Sequence, residues 1–590
     1  MPAATRRPSD LQFPRRLAGF RAAGILLARC AIRFLQVASP RYALTLLLAL
    51  VLVDGCAPRP PLTFAQDGAV DLPTSSAVIF FVDGVNRRVM ERLLERGSLP
   101  NIDRLFVRGG VKVEHAITSL PSITYPNAVS ILTGRFPGHH GVLGNRWFDR
   151  RRMICRDYGT AATYRDVNDD FQCPTIYDIL SDHFTVNVQC HTRRGVTVTF
   201  DNWAASGIDW FLHAYSNVDR RVGDCMEPVV GVARRVGRWP TVLFNYFPGV
   251  DEVGHRYGPD SARYREALQV ADRAIGKVVD AIVTAGLADR TYFVLLTDHG
   301  HVPHTAERMI DAVEWLRQHF GWRIYPGRTP DDDYVANFAR LKPYDAVVIC
   351  GAFRRLVIHL RGSRGWAYPP SREEITRILD PAAADPAAGD QGLLDLPGAG
   401  LICTRAGPDS VNVISAHGAA TVERRIKGVQ RFYRLVCSQA DNGHAGGPQD
   451  VLGYRCTPEL ASFVDAGWHS SREWLAATAS TRYPDFVPQV VEMFDTPRAG
   501  DIVVFAAADW SFNDRFIGGH GSCLAQDMHV PMYFAGPDLP PGGSIDHARL
   551  VDVMPTVLDL LGEHDRLLRI ERIDGVSVAS ELRQALPRRP

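Results

Sequence analysis

The chain has almost no surplus charge of either sign. Among its 590 residues, Lys and Arg number 66 against 65 Asp and Glu, a formal net charge of +1. A protein that holds nucleic acid by bulk electrostatics needs a basic surplus, so a nucleic-acid scaffold role is set aside. No CxxC unit occurs among the eleven cysteines, which removes a structural zinc knuckle. No internal repeat is visible, and no stretch has the composition of a collagen or a disordered chain. Long apolar runs are missing as well. The clearest one, residues 43–53 (ALTLLLALVLV), is too short for a comfortable membrane span.

That run follows arginines scattered through residues 6–42, and a basic region before a short apolar core is the pattern of an export signal. It ends in Val53-Asp-Gly-Cys56, where small residues before a Cys resemble a bacterial lipoprotein cleavage box with Cys56 as the lipidated first residue. An ordinary cleaved signal and an uncleaved anchor are the alternatives, and a second candidate start lies near Arg41. The expectation is an exported protein, in the periplasm or held on the membrane facing it through Cys56 or the signal itself. Residues 57–76 contain Pro and Ser and read as a tether. Export permits disulfides, with Cys437–Cys456, Cys155–Cys173 and Cys190–Cys225 as candidate pairs.

What is present is a body that is 46% hydrophobic, enough for a large core. Its most informative stretch is 77–145. Residues 77–82 (AVIFFV) read as a strand buried on both faces. Asp83-Gly84 follows at its carboxyl end, where open α/β sheets place their chemistry. Asp83 is a candidate metal ligand there, or a turn residue. Thr124 sits in ITYPN before a helix stopped by Gly134. It is an N-cap, a structural residue, or a nucleophile whose phosphorylated form rests on a helix N-terminus. Asn145, in GHHGVLGN, is a turn residue or an amide donor to a charged oxygen.

Three further strand ends carry metal-ligand chemistry. Residues 241–247 lead into Asp251 and His255, four apart and able to converge on one ion. Residues 292–297 end at Asp298-His299, with His301 and His304 read as supporting or surface residues. Residues 500–506 read as the return of the core and lead to His520 in GGHG. Arg193 and Arg194, after a strand at 185–190, could clamp a phosphoryl group or simply be solvated. A parallel sheet gathers strand ends that are distant in sequence. Mixed nitrogen and oxygen ligands favour zinc, and six of them with Thr124 suffice for two ions. Two such metals clamp the attacking and leaving oxygens of a displacement at phosphorus.

Taken together, VDG, ITYPN with SILTG, GHHGVLGN, DEVGHRYGP, TDHG and GGHG resemble the alkaline phosphatase superfamily, and within it the type I phosphodiesterase / nucleotide pyrophosphatase family. The resemblance covers most of residues 77–310 and 498–562. It implies an α/β fold: an alkaline-phosphatase-like three-layer sandwich with a mostly parallel central sheet and an irregular inserted cap. It implies that Asp83, Asp298 and His299 bind one zinc together with Thr124. It assigns Asp251, His255 and His520 to a second zinc. Thr124 would form a phospho-threonine intermediate, while Asn145 and the backbone amide near Thr124 stabilise a non-bridging oxygen. No nucleotide-stacking pair is placed in the middle block. The expected activity is hydrolysis of a small-molecule phosphodiester or pyrophosphate. A phosphomonoesterase of the same superfamily, with Arg193 and Arg194 reading the extra charge, is the alternative, and a non-catalytic metal-binding relative comes third. A sulfatase lacks support, since neither Cys nor Ser fills the nucleophile position of a CxPxR-type sequence. The expected organisation is a signal at 1–56, a linker at 57–76, core at 77–319, an inserted cap at 320–495 and core again at 496–590.

Overall fold

Side chains of β1 (Ser76–Val82) alternate between two separate cores. Val78, Phe80 and Val82 enter one, while Ala77, Ile79 and Phe81 enter the other. The same division holds for β4 (Val242–Phe247) and β5 (Thr291–Leu296), which flank β1 in parallel register. A period of two with both faces apolar is what a sheet covered on both sides requires. Truncating a fully buried ring such as Phe80 would cost about 3–5 kcal/mol. One face is covered by helices that include α4 (Ala262–Thr284), the other by helices that include α1 (Thr124–Thr133).

The computed structural model describes residues 70–587 except 161, 330–332, 382–391, 417 and 438–449. The proposed signal, Cys56 and most of the tether lie outside the described residues. No helix among the described residues is long and apolar enough to cross a membrane.

The main sheet also contains β2 (Val111–Ile117), β3 (Thr185–Val188), β6 (Met532–Ala535) and β7 (Gly543–Arg549). Its order is 586–587, β7, β2, β6, β5, β1, β4, β3, 198–200, with β6 and the edge strand 586–587 antiparallel to their neighbours. This is the α/β, mostly parallel sheet that the sequence led us to expect.

The second sheet differs from expectation. Seven strands of the block expected to be irregular, joined by 502–506, form an eight-stranded sheet, 346–351, 355–360, 502–506, 399–407, 410–415, 418–427, 430–437 and 469–470 in spatial order, every pair antiparallel. Strand 502–506, read from sequence as the return of the core, lies inside this second sheet between 355–360 and 399–407. Its IVVFA composition says only that it is buried, and a buried strand reads alike in either sheet. The first sheet resumes instead at residues 529–535.

The nine described cysteines are all free, so none of the three candidate disulfides is present. Cys190 and Cys225 belong to the cores on opposite faces of the main sheet, and Cys155 and Cys173 to two different apolar clusters. Cys437 is half-buried at a strand end while Cys456 is exposed.

Candidate active site

Adjacent parallel strands deliver their carboxyl ends to one place. β1 ends at Asp83, β5 runs into Asp298 and His299, and β4 runs into α3 (Gly249–Tyr257), which carries Asp251 and His255 one turn apart. His520 follows the short pairing of 518–519 with 302–303. Every one of these side chains except that of half-buried His255 belongs to a buried residue. Close approach is bought by glycine at Gly84 (φ +61°), where a Cβ would fall 2.3 Å from Asp251 Oδ1.

Thr124 is the first residue of α1. The cap position is Ile123, which makes no side-chain bond, so the Thr124 hydroxyl is not used as an N-cap. Its Oγ lies 3.2 Å from His299 Nε2 and 3.5 Å from Asp83 Oδ1. The turn before it is held by Asn127, whose Oδ1 accepts the Ser119 N–H and whose Nδ2 donates to the carbonyls of Ser119, Pro121 and Ile123.

Three imidazoles are oriented alike. Nδ1 of His255 faces the Gly518 carbonyl at 2.9 Å, that of His299 the Gly300 carbonyl at 2.9 Å, and that of His520 the Ser122 carbonyl at 2.8 Å. A proton on Nδ1 leaves each Nε2 with a lone pair, the tautomer a metal needs. His255 Nε2 is 3.1 Å from Asp251 Oδ2, and His520 Nε2 is 3.7 Å from Asp251 Oδ1. His299 Nε2 is 3.4 Å from Asp83 and 3.1 Å from Asp298. The His299 and His520 rings stack at 3.3 Å.

Such a cluster is electrostatically costly without a cation. Burial, then the Asp298 and Asp251 carboxylates, push Asp83 well above the ordinary range. Burial opposes ionisation of Asp251 too, but His255, His301 and His520 outweigh it and hold that group low. Burial pushes the His299 ring down, and the Asp298, Asp83 and Asp251 carboxylates more than reverse this. Asp298 Oδ1 accepts the Gly84 N–H at 3.1 Å, whereas its Oδ2 makes no hydrogen bond and faces His299 Nε2 at 3.1 Å. A buried carboxylate oxygen that makes no hydrogen bond and faces an imidazole Nε2 fits a metal ion. Two groups could each hold one, Asp83–Asp298–His299 and Asp251–His299–His520, with His255 adjoining the second.

The candidates from sequence separate clearly. Asp83, Thr124, Asp251, His255, Asp298, His299 and His520 are brought together. Asn145 is tied to the start of α1, its Oδ1 accepting the Tyr125 N–H at 3.2 Å. Arg193 and Arg194 are spent elsewhere. Arg193 pairs with Asp201 at 2.6 Å, and Arg194 bonds Asp178 and the carbonyls of Phe171 and Cys173. His301 and His304 are buried, not surface residues, and Nδ1 of His301 is 3.1 Å from Asp251 Oδ1. Burial lowers the His301 ring to about 4, so it is neutral at physiological pH.

Sequence reasoning missed two residues. Tyr246 donates its hydroxyl to Asp83 Oδ2, and its signal was a phenol near the end of a buried strand. His191 stacks on Tyr125, the residue after Thr124, at 3.9 Å, with Tyr158 against the same ring at 4.8 Å. Burial lowers His191 to about 3, and its Nε2 has no partner. Its signal was its place at the end of a strand, overshadowed by the arginines after it.

Known proteins resemble this chain in sequence and in fold. The family model described as type I phosphodiesterase / nucleotide pyrophosphatase matches residues 77–382, just over half of the chain. A Schizosaccharomyces pombe protein named a pyrophosphatase/phosphodiesterase is 28% identical over 262 residues, 42% of this chain and 48% of the relative. Human ectonucleotide pyrophosphatase/phosphodiesterase family member 7 is 25% identical over 37% of this chain and 46% of its own length. Mouse bis(5'-adenosyl)-triphosphatase enpp4 is 27% identical over the same two shares, 37% and 46%. The chain thus spans about half the length of these curated relatives. Among solved structures, murine ectonucleotide pyrophosphatase/phosphodiesterase 5 superposes with a TM-score of 0.50 at 13% identity, covering 86% of this chain and 99% of that one, a likeness of fold. The chain belongs to the type I phosphodiesterase / nucleotide pyrophosphatase family.

Proposed function

We propose that the protein hydrolyses phosphodiester or pyrophosphate bonds in small-molecule phosphate esters, with Thr124 as nucleophile and two zinc ions as cofactors. The observation that carries this reading is the opening of Thr124 Oγ onto His299 Nε2 at 3.2 Å and Asp83 Oδ1 at 3.5 Å, inside a buried group of carboxylates and Nδ1-anchored imidazoles. Asp83, Asp298 and His299 would hold one zinc beside Thr124; Asp251, His255 and His520 would hold the other. When bound, the ions supply positive charge that acidifies the attacking hydroxyl and stabilises the leaving oxygen.

The chain's own residues do the rest. Thr124 Oγ forms a bond to phosphorus as the ester or phosphoanhydride oxygen departs, and a water later cleaves the phospho-threonine to regenerate the hydroxyl. The phosphoryl group is then carried at the N-terminus of α1, where the helix dipole favours negative charge. Asn145 Nδ2 is the donor left for a phosphoryl oxygen, its Oδ1 being fixed by Tyr125. The family membership supports the diester and pyrophosphate class. The pairing of Arg193 with Asp201 and of Arg194 with Asp178 weighs against their reading the extra charge of a monoester.

The leader pattern at 6–56 supports export, with membrane attachment through Cys56 or an uncleaved signal as the form we propose.

The test compares thymidine 5'-monophosphate p-nitrophenyl ester, bis-p-nitrophenyl phosphate and p-nitrophenyl phosphate on the zinc-loaded protein. Diesters are expected to turn over fastest, and Thr124→Ala to lower kcat by about 10⁴-fold or more at unchanged zinc content. Undiminished turnover in the Ala variant would overturn the reading.

A further inference from the structure

His301 is a histidine that the proposed chemistry does not use. It is wholly buried, directly before the short strand pairing of 302–303 with 518–519 that also brings His520 to the site. Its ring orientation is the reverse of the other three. Nδ1 faces a carboxylate, Asp251 Oδ1 at 3.1 Å, and Nε2 is buried with no partner. The ring occupies a slot that only glycine leaves open. A Cβ on Gly254 would stand 2.8 Å from His301 Cε1, and one on Gly518 would stand 2.8 Å from His301 Nε2. Those glycines lie on the two segments that carry His255 and His520. The ring therefore has no freedom to turn away, and its Nδ1 is the only nitrogen placed to meet Asp251.

Asp251 is the carboxylate on which the second group converges. Oδ2 is 3.1 Å from His255 Nε2, and Oδ1 is 3.7 Å from His520 Nε2. A carboxylate with both oxygens among imidazole lone pairs, and with Gly84 against its stem, needs a donor to fix its rotation. Outer hydrogen bonds of this kind orient a ligand, and their loss commonly costs 10–100-fold in metal affinity.

We propose that His301 is a positioning residue for the cation site of Asp251, His255 and His520: its Nδ1–H holds the Asp251 carboxylate in the orientation that binds the ion. This rests on the reading that those three residues hold a metal. The Asp83–Asp298–His299 group has its own fixed donors, including the Gly84 N–H on Asp298, and does not depend on His301.

The experiment titrates the metal-free full chain with Zn²⁺ against a chromophoric chelator, alongside thermal unfolding of the metal-free proteins. Four variants are compared with the parent: His301→Leu and His301→Ala, which lack the donor, His301→Asn, which keeps an N–H near the Nδ1 position, and Asp251→Ala. The expected result is two ions for the parent and for His301→Asn with closely similar affinities. In His301→Leu and His301→Ala one ion weakens by about 10–100-fold while the other keeps its affinity. The Ala variant decides the matter should the Leu variant not fold. Parent-like binding of both ions in His301→Ala, or an equal loss at both sites that follows the fall in metal-free unfolding temperature, overturns the proposal. Retention of both ions by Asp251→Ala would instead remove the underlying reading of the second site, which separates the two failures.

Discussion

Asn127 shows how much one side chain can do for a nucleophile it never touches. Its fully buried amide satisfies the Ser119 N–H and donates toward three carbonyls of the turn that ends at Ile123, just before Thr124. Asn127→Ala leaves those groups buried without partners, a cost of about 1–3 kcal/mol. The expected outcome is a lower urea midpoint together with a reduced kcat, because the start of α1 loses its anchor. Asn127→Asp is the sharper case. It keeps the acceptor for Ser119 but turns a carboxylate toward carbonyl oxygens, so it should be less stable than the Ala variant. An Asp variant at least as stable as Ala in urea unfolding would refute this account. In sequence Asn127 is one more polar residue in a helix, and nothing local marks it as the tie for a turn. Thr124 was legible as a candidate because it opens a Gly-terminated helix, yet three roles fitted it. The placement of Ile123 as the cap removes the first of these roles, and His299 and Asp83 around the hydroxyl favour the proposed one.

At the scale of the element, α3 carries two of the proposed ligands and is itself held by α2 (Ser216–Gly223). Asp219 of α2 is fully buried and accepts the Gly249 N–H, the first of α3, at 3.0 Å, while its Oδ2 has no partner. Burial raises this carboxyl to about 7, with the Gly249 bond only partly offsetting it. A folded-state value above the unfolded one means that the folded protein binds the extra proton. Its contribution to stability is therefore full below about pH 4 and is lost as pH rises through about 7. Asp219→Asn keeps the acceptor for Gly249 and removes the ionisation. The variant should match or exceed the parent in stability at pH 8 and show a flatter profile between pH 4 and 8. Asp219→Ala should lose about 0.5–2 kcal/mol at pH 4, as a lost cap does, and the gap should shrink toward pH 8, because this variant too lacks the ionisable carboxyl. Denaturant melts across that range decide it, and a parent-like slope in the Asn variant would contradict the assignment. The elements themselves were largely legible. β1, β4 and β5 are written as buried, largely apolar runs, and the spacing of Asp251 and His255 fits one turn of α3. What could not be read was partnership at a distance, such as Asp219 for Gly249 or Tyr246 for Asp83. Sheet membership of 502–506 was hidden for the same reason, since the run encodes burial and not its neighbours.

The whole molecule is joined by a buried ionic knot that no local pattern announces. His139 places Nδ1 2.5 Å from Asp574 and Nε2 2.5 Å from Glu492, with Asp495 at 3.1 Å. Glu492 lies on α5 (Phe486–Met493), and Arg424 and Arg431 reach the same acids from adjacent strands of the antiparallel sheet. Asp574 comes from the C-terminal region, so residues 139, 424–431, 492–495 and 574 are fastened together. Both ring nitrogens face carboxylates, which calls for an imidazolium. Burial pushes His139 down, but Asp574, Asp495 and Glu492 hold it up at about 10. Asp574 and Asp495, in spite of burial, lie well below the ordinary carboxylate range, with His139 and arginines as the cause. The signs differ for the two kinds of group. The acids contribute above about pH 4 and fail as pH falls below it, while the His139 contribution is complete below its ordinary 6.5 and is lost as pH rises through about 10. Removing one charge from such a knot strands the others, a loss of about 3–5 kcal/mol. His139→Gln should therefore be destabilised by that order at pH 6. The gap to the parent should narrow steadily from pH 7 to pH 10, because the parent gives up over that span what the variant never had. Urea midpoints at pH 6, 8 and 10 measure the gap directly, and a constant difference across all three would mean that His139 acts by packing and not by charge.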